Sequence, residues 1–440
     1  MEESTEALST EPDERGTDRK SNPIKTYIER LKAFSTNARL FLVGGFLFGI
    51  AGGINQLLFN FYVLSQGYTE GTLGKIVTAR SLTTLLAAIP MGYLVDKIGR
   101  KRAFFFSHLS FALSIVCILL FPSIPVFLTM GMVQGLAQSL SVVAQGPFLM
   151  ENSEETERTY LFSISSGIGT TAGSVGQWFG GFLPGIFAGM LLVSAMDTKA
   201  YSAALWFVVL FALLALVPIS FIKENRRDPS AKRSVFAPVT FFKRAPKKFT
   251  RLILPGLVTS IGAGMVMPFM NVFFRNVYRL SDNSIGVIFA WGSLAMGIGL
   301  IIAPMIAERV GKIQTVVATQ ALSIPFLVLL GFSGRVELAV IAYYFRLTLM
   351  NMSSPIFSTF AMEQVEPEAR AMLASLNSMA FNFGWAFSPT ISGILQERHG
   401  FGPSFTITII LYTVSTSMYY FWFWHKKNTP ATVEQAQKLN

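Results

Sequence analysis

Gly92-Tyr93-Leu94-Val95-Asp96-Lys97-Ile98-Gly99-Arg100-Lys101-Arg102 is a short charged stretch between two long apolar runs. One apolar run ends at Val95 and the next begins at Ala103, so only an acid, a turn glycine and a cluster of bases separate them. A stretch this short cannot form a soluble domain, but it suits a tight loop between two membrane helices. Because Lys and Arg concentrate in cytoplasmic loops, the bases predict that this loop lies in the cytoplasm.

The composition of the whole chain is that of a membrane protein. Of its 440 residues, 51% are hydrophobic and only 14% are charged, whereas soluble domains carry about 25% charged residues. A single cysteine, Cys117, excludes a disulfide framework and a thiolate metal cluster. The net charge of +11 comes from bases in loops on one side of the membrane. We therefore expect the lipid bilayer, and no nucleic acid, as the partner of these charges.

Twelve apolar segments are long enough to cross a bilayer, which takes about 20 mostly apolar residues in a helix. Turn residues or charges interrupt the sequence between them. The sequence therefore predicts an all-α membrane protein with 12 transmembrane helices. The predicted spans are 38–64, 73–95, 103–121, 125–149, 160–188, 201–222, 250–277, 285–307, 313–332, 337–361, 371–396 and 402–424.

The distribution of bases predicts that both termini are cytoplasmic. In this orientation 28 of the 36 Lys and Arg residues fall in the tails and the inner loops, and 6 fall on the outer side, as the positive-inside rule requires. The longest inner loop is rich in Lys, Arg and Pro, and it divides the chain in two. The predicted parts are a disordered cytoplasmic tail at 1–37, a six-helix half at 38–222, a basic cytoplasmic linker at 223–249, a second six-helix half at 250–425 and a cytoplasmic tail at 426–440. In the first tail, Ile24, Ile28 and Leu31 would share one face of a helix, which fits either a short interfacial helix or a plain solvated linker.

The two halves repeat each other in sequence at an offset of 212 residues. Random apolar segments would match at some Gly and Leu positions. They would not place an acid, a glycine and a base in register at two separate loops. The repeat therefore predicts two similar six-helix units. The aligned charged and glycine pairs are Asp96 with Glu308, Gly99 with Gly311, Arg100 with Lys312, Glu151 with Glu363, and Arg158 with Arg370.

The opening loop resembles the loop between helices 2 and 3 of the major facilitator superfamily, Gly-x-x-x-Asp-x-x-Gly-Arg-Lys/Arg. Gly92, Asp96, Gly99, Arg100 and Lys101 match every position of that signature. A tandem repeat of six helices is also typical of that fold. The resemblance implies two pseudo-symmetric halves, a substrate site between them near the middle of the membrane, transport by alternating access, and a monomer.

The same resemblance implies a conformational gate at the cytoplasmic ends of the helices. In the family, the loop acid faces the start of helix 11 and the loop bases meet neighbouring carboxylates, which holds the cytoplasmic side closed. Carried over, Asp96 would face the start of helix 11, where the helix dipole favours an anion, and Arg100 would pair with Glu151. Glycine at two positions would allow close helix approach and a tight turn. The predicted gate residues are Gly92, Asp96, Gly99, Arg100, Glu151 and Arg158, with Glu308, Gly311, Lys312, Glu363 and Arg370 as a weaker mirror image.

A glycine-rich element in helix 5 admits two interpretations. Gly176-Gln177-Trp178-Phe179-Gly180-Gly181 is similar to the Gly-Pro-x-x-Gly-Gly element of family antiporters, but Gln177 stands where that element has proline. Small residues at this spacing also serve plain helix packing. The departure from the pattern weakens the prediction of export.

Two arginines, Arg80 and Arg346, fall inside predicted membrane helices, and no Asp or Glu falls at the centre of one. Ionisable residues at membrane depth are costly and commonly functional, although an arginine can also snorkel to the membrane surface. In the family, helices 1, 4, 7 and 10 surround the substrate. The predicted substrate-cavity residues are Asn55, Gln56, Asn60, Arg80, Gln134, Gln138, Asn271, Arg346 and Asn351.

The sequence favours a secondary active transporter of a small organic solute over an enzyme. The histidines are scattered, no nucleophile is spaced with a base, and no phosphate-binding loop for ATP is present. The resemblance to drug exporters extends over the whole chain, and we therefore predict efflux of amphipathic compounds as the first interpretation. Arg80, Arg346 and the missing central carboxylate favour uptake or exchange of an organic anion instead. A membrane sensor that does not transport is a third interpretation. We expect no metal and no cofactor, leave coupling to a proton or another ion open, and expect the plasma (inner) membrane.

Overall fold

The computed structural model describes residues 34–223 and 246–424. Every regular element in these two ranges is a helix. The chain ends and most of the basic linker lie outside the described residues, and so does the predicted interfacial helix with Ile24, Ile28 and Leu31. The first helix begins at Thr36, just before its predicted start, and the described part of the second half begins at Pro246, inside the predicted linker.

The first half consists of six helices, α1 to α6. Side-chain caps begin three of them, because Ser35, Thr69 and Asp197 each accept a hydrogen bond from a backbone N–H of the first turn. The helices are α1 Thr36–Ser65, α2 Glu70–Ile98, α3 Arg100–Leu120, α4 Ile124–Glu151, α5 Glu155–Leu191 and α6, which runs as Thr198–Leu214 and Leu216–Phe221.

The second half consists of α7 to α12. The sequence predicts a continuous helix 7, and this is wrong, because a 3-10 turn at Met267–Phe269 interrupts it. Pro268 explains the interruption, since proline lacks the N–H that an α-helix interior needs and its ring clashes with the preceding turn. The helices are α7 Pro246–Val266 continued by Met270–Tyr278, α8 Asp282–Val310, α9 Lys312–Phe332, α10 Val336–Glu363, α11 Pro367–His399 and α12 Gly402–Phe423.

The structure confirms the internal repeat. The helices α2, α3, α4 and α5 begin 212 residues before α8, α9, α10 and α11, and the first three of them also end at that offset. The two signature glycines occupy equivalent tight turns, with φ +89° at Gly99 between α2 and α3 and φ +106° at Gly311 between α8 and α9. These φ values lie in a region that side chains disfavour, which explains glycine at both positions.

Seven of the described helices are long and apolar enough by themselves to cross a membrane, namely α1, α3, α4, α6, α7, α8 and α9. The remaining helices carry more polar residues. Several of these polar residues, such as Arg80 of α2, Thr170 of α5, Asn351 of α10 and Asn377 of α11, line a space between the two halves. Polar side chains at membrane depth are tolerated where they face a cavity instead of lipid.

Among the described residues, buried apolar side chains join the two halves on one side of the molecule only. One continuous cluster includes Phe61 of α1 and Phe273 of α7. On the other side each half has a separate cluster, built around Phe104 in the first half and Phe360 in the second. We call the side with the α2–α3 loop the inner side and the opposite side the outer side. The halves are therefore packed together on the outer side and separate towards the inner side.

Glycines allow close helix approach both within the first half and between the two halves. A Cβ at Gly53 of α1 would lie 2.1 Å from the Gly173 carbonyl oxygen of α5, and one at Gly176 would lie 2.3 Å from the Ile50 carbonyl oxygen. At Gly74 of α2, a Cβ would lie 2.3 Å from a backbone oxygen of α11. The glycine-rich element of α5 thus serves backbone-to-backbone packing against α1.

Candidate functional site

A cavity of about 780 Å³ lies between the two halves. The first half contributes side chains from α1, α2, α4 and α5, and the second half contributes side chains from all six of its helices. The position matches the expectation that the substrate site of such a repeat lies between its halves. The volume is within the range of pockets that bind small molecules.

Eight of the nine predicted cavity residues line this space. The exception is Gln138, which lies one turn beyond Gln134 along α4, outside the cavity lining, with an exposed side chain. Helical periodicity alone places both glutamines on one face. Only Gln134 reaches the described cavity lining in this conformation, so Gln138 does not contribute to the cavity wall as periodicity predicts. The lining residues are Asn55, Gln56, Asn60, Arg80, Gln134, Asn271, Arg346 and Asn351.

Arg346 is the charged group set deepest in the cavity wall. The residue is 2% exposed. Its Nη2 donates a hydrogen bond to the Tyr412 hydroxyl at 2.5 Å, and its Nη1 lies 2.8 Å from the Met267 sulfur. Its Nε has no hydrogen-bond partner among the described residues. No described acidic side chain forms an ion pair with this guanidinium.

Arg80 gives the opposite half of the cavity a second positive charge. Its side chain is half-buried on α2 and lines the cavity. No ion pair joins it to a described residue. The described lining contains no Asp, Glu, Lys or His. The protein groups around the cavity therefore carry a net positive charge.

Hydrogen bonds join the halves in their outer parts. Thr390 of α11 bonds to the Thr78 hydroxyl of α2 at 2.8 Å, and Thr69 at the start of α2 donates to Glu397 of α11 at 3.0 Å. Between α5 and α8, a Cβ at Gly286 would lie 2.6 Å from the Gln177 carbonyl oxygen. These contacts close the cavity on the outer side.

Two predicted cavity residues bind each other across this closure. Asn60 of α1 donates from Nδ2 to Asn271 Oδ1 of α7 at 2.9 Å and to the Pro268 carbonyl at 2.7 Å. Asn271 in turn donates to the Leu57 carbonyl at 2.8 Å. Their amides line the cavity but hold its outer end closed in this conformation. The sequence predicts both Asn60 and Asn271 as cavity residues but does not predict the hydrogen bond between them.

A buried charged cluster at the outer side is absent from the sequence-based prediction. Arg275 of α7 and Asp282 of α8 form an ion pair with side chains 13% and 10% exposed. Tyr201 of α6, from the first half, donates to Asp282 at 2.7 Å and accepts from Arg275 at 2.6 Å. The guanidinium also lies 3.2 Å from the ring centre of Phe61 in α1. The sequence feature that could have pointed to this cluster is the alignment of Glu70 with Asp282 at the repeat offset of 212 residues.

Replacing Tyr201 by Phe tests whether this cluster holds the outer side closed. The change removes the one hydroxyl that joins the first half to the Arg275–Asp282 pair. A hydrogen bond to a charged group contributes about 1.5–3 kcal/mol, so we expect roughly tenfold faster labelling of a Ser293→Cys reporter in the cavity lining by an impermeant maleimide added on the outer side. The measurement uses a Cys117→Ser background.

The matched control for this labelling experiment is Tyr278→Phe. The Tyr278 hydroxyl donates to the Ser333 carbonyl at 2.7 Å, within the second half. We expect no change in labelling for this variant. Equal labelling rates in Tyr201→Phe and Tyr278→Phe would show that the cluster does not control the outer closure.

The predicted gate residues lie together at the inner side. Arg100 Nε lies 3.1 Å from Glu151 Oε2, so the predicted ion pair is present, and Arg100 Nη2 lies 3.9 Å from Asp96. The aligned residues of the second half, Lys312 and Glu363, also form an ion pair. The equivalent pairs in both halves fix the starts of α3 and α9 against the ends of α4 and α10. Their function in gating stays a prediction.

The other predicted gate residues have looser surroundings. Asp96 is 69% exposed, and Glu308 is also exposed. Arg158 donates to the Ser153 carbonyl at 3.5 Å, and Arg370 donates to the Met362 carbonyl at 3.2 Å. At Gly92, an added Cβ would meet only Val143 at 3.7 Å. The close helix approach expected at this glycine is thus absent from the conformation described.

Comparisons with known proteins agree with this architecture. The sequence profile of the Major Facilitator Superfamily matches residues 40–258 and again 252–439, once for each half. The uncharacterized MFS-type transporter YceJ of Bacillus subtilis (strain 168) is 22% identical over 350 residues, which cover 79% of this chain and 86% of the relative. Multidrug resistance protein 1 of the same organism is 20% identical over 357 residues, which cover 79% and 87%.

A solved structure shows the same fold. It is a bacterial homologue of the human lysosomal transporter Spinster in an inward-facing, occupied conformation, with a TM-score of 0.73 and 14% identity over 93% of this chain and 100% of that chain. The family profile spans both six-helix halves, and all twelve predicted helices are present. This chain belongs to the Major Facilitator Superfamily and is an integral multi-pass inner-membrane transporter of small solutes, not an enzyme.

Proposed function

We propose that this protein transports an organic anion by alternating access, with the cavity between its halves as the solute site. The observation that carries the proposal is the charge of the described cavity lining, which contains Arg80 and Arg346 but no acidic residue. A solute with an acidic group would neutralise this charge. A cationic solute would meet two like charges and no carboxylate.

The surroundings of Arg346 supply the energetic argument. Removing a charge from water without an ionic partner costs several kcal/mol. The Tyr412 hydroxyl and the Met267 sulfur contact the guanidinium but carry no charge to compensate it. A carboxylate or phosphate in the cavity would supply that charge, and arginine binds such groups through paired hydrogen bonds. The solute is thus the natural counter-ion of Arg346.

Two further features support alternating access around this cavity. The outer side is closed by hydrogen bonds between the halves, whereas the inner clusters of apolar residues are separate. The inner gate residues Asp96, Arg100 and Glu151 lie where the opposite closure would form. We infer that this conformation opens to the inner side. A coupling proton would have to bind outside the described lining, at a group such as Glu151 or Asp96, or to the solute itself.

Efflux of amphipathic compounds is the second candidate function. Apolar side chains, including Phe289, Met350, Phe357 and Phe381, form part of the cavity wall. A multidrug resistance protein is among the relatives. An amphipathic anion would satisfy both candidates, so they differ chiefly in the charge of the solute and the direction of transport.

The test of the proposed function is thermal unfolding of the purified protein with anionic, cationic and neutral amphipathic ligands. A ligand present at about 100 times its dissociation constant stabilises the folded state by about 2.7 kcal/mol. We expect the anions to raise the melting temperature of the native protein and not of Arg346→Gln. The control Arg398→Gln removes an exposed guanidinium outside the cavity lining. Stabilisation by lipophilic cations that persists in Arg346→Gln would contradict the organic-anion proposal.

A further inference from the structure

Unsatisfied polar atoms cluster in the wall of the cavity. Four buried side-chain atoms of lining residues have no hydrogen-bond partner among the described residues: Asn55 Oδ1, Gln177 Oε1, Arg346 Nε and Trp385 Nε1. Buried polar atoms almost always have a partner, and an exception calls for an explanation. Because all four residues face one cavity, a bound solute can satisfy them after small side-chain rotations.

The unsatisfied atoms divide by type between the two halves. The first half presents acceptors, the amide oxygens of Asn55 on α1 and Gln177 on α5. The orientation of the Gln177 amide follows from its Nε2, which donates to Gln56 Oε1 at 2.9 Å and leaves the oxygen without a partner. The second half presents donors, Arg346 Nε on α10 and Trp385 Nε1 on α11. A complementary solute therefore has acceptors at one end and donors at the other.

The charged groups in each half of the cavity determine which chemical group of the solute can bind there. At the second half, a guanidinium and an indole N–H together suit a carboxylate, which accepts from both. At the first half, the donor end of the solute meets two neutral amides in a lining that also carries the positive charge of Arg80 and no described carboxylate. An ammonium group would be repelled there and would lack a counter-ion. Hydroxyl groups donate to amide oxygens without adding charge.

We propose that the solute is a hydroxylated carboxylic acid, whose carboxylate binds Arg346 and Trp385 and whose hydroxyl groups donate to Asn55 and Gln177. This inference rests on the proposed transport of an organic anion and adds the class of the solute. A molecule with both kinds of group contacts both halves at once. It therefore links the halves, whereas a simple acid or a neutral polyol binds to one half only.

The test measures binding of three six-carbon probes to the full-length protein by thermal shift and competition. Gluconate carries a carboxylate and hydroxyl groups, hexanoate carries only the carboxylate, and sorbitol carries only hydroxyl groups. We expect gluconate to bind at least about tenfold more tightly than either of the others, because each missing group leaves buried atoms unsatisfied.

Two variants separate the two ends of the solute. Gln177→Met keeps the length of the side chain and removes the acceptor, so it should weaken gluconate about tenfold and leave hexanoate unchanged. Arg346→Gln should weaken both acids. The matched control is Gln138→Met, the same substitution at an exposed position of α4 outside the cavity lining, and it should change neither. Asn55→Val tests the same acceptor end if Gln177→Met does not fold.

The outcomes distinguish this inference from the proposed function. Equal binding of gluconate and hexanoate, in native protein and in Gln177→Met, would overturn the hydroxyl assignment and leave organic-anion transport standing. Sorbitol binding as tightly as gluconate would overturn the assignment of the carboxylate and the proposed function with it. Failure of all three probes to bind would overturn the inference.

Discussion

Arg346→Gln is expected to lower transport of an organic anion by at least about thirtyfold in kcat/KM. Removing one member of a buried, hydrogen-bonded charge pair costs about 2–5 kcal/mol, and the guanidinium is 2% exposed with no acidic partner among the described residues. The measurement is the initial rate of uptake into proteoliposomes over a range of solute concentrations. The kcat/KM of Arg346→Lys should lie between those of the native protein and Arg346→Gln, because lysine keeps the positive charge but lacks the planar, paired donors of the guanidinium.

The melting temperature of the ligand-free protein distinguishes binding of the solute by Arg346 from a purely structural function of this residue. Replacing an uncompensated buried charge by a neutral side chain is often neutral or stabilising. We therefore expect the melting temperature of Arg346→Gln without ligand to equal or exceed that of the native protein. A markedly less stable variant would indicate that the bond to Tyr412 holds the fold. Unchanged transport in a well-folded variant would exclude Arg346 from the solute site.

Asp96→Asn is expected to slow transport by about tenfold while leaving folding, membrane insertion and ligand binding unchanged. In the conformation described, Asp96 is 69% exposed near the loop that carries Arg100. When the inner side closes, the carboxylate is predicted to meet the start of α11, where a helix N-terminus stabilises an anion by up to about 2 kcal/mol. The asparagine keeps the shape and removes the charge, so the closed state loses part of its stability.

The matched control for Asp96→Asn is Glu308→Gln, at the aligned position of the second half. Glu308 is likewise exposed at the end of its helix, but the loop after it matches the signature less completely. We expect a clearly smaller effect on the rate. Flux that stays at the native rate in Asp96→Asn, at equal expression, would refute the gating function of this loop.

Local signals in the sequence were sufficient for much of the fold. The loop from Gly92 to Arg102 and its aligned partner gave the two-half repeat, because a turn at positive φ requires glycine at Gly99 and Gly311. Apolar runs, together with the turn residues and charges between them, predicted the twelve helices. Pro268 could have predicted the break in helix 7, because proline disrupts a helix interior. The apolar run on both sides of Pro268 favoured a continuous helix instead.

The sequence was less informative about which groups meet across the halves. Asn60 and Asn271 were identified as polar and inward-facing, but their mutual hydrogen bond depends on how α1 and α7 tilt towards each other. The contact of Tyr201 with Arg275 and Asp282 joins residues that lie 74 and 81 positions apart in the sequence. Periodicity reports the face of a single helix and carries no information on such tilts. The same limit applies to Gln138, which shares a helix face with Gln134 but is not part of the described cavity lining.

The most direct test of organic-anion transport by alternating access is counterflow in proteoliposomes. Vesicles are loaded with unlabelled gluconate and diluted into medium that contains a trace of labelled gluconate. We predict transient accumulation of label above the outside concentration, abolished in Arg346→Gln and retained in Arg398→Gln. Binding of gluconate without any accumulation of label would contradict this account and indicate a membrane sensor that holds its ligand without moving it.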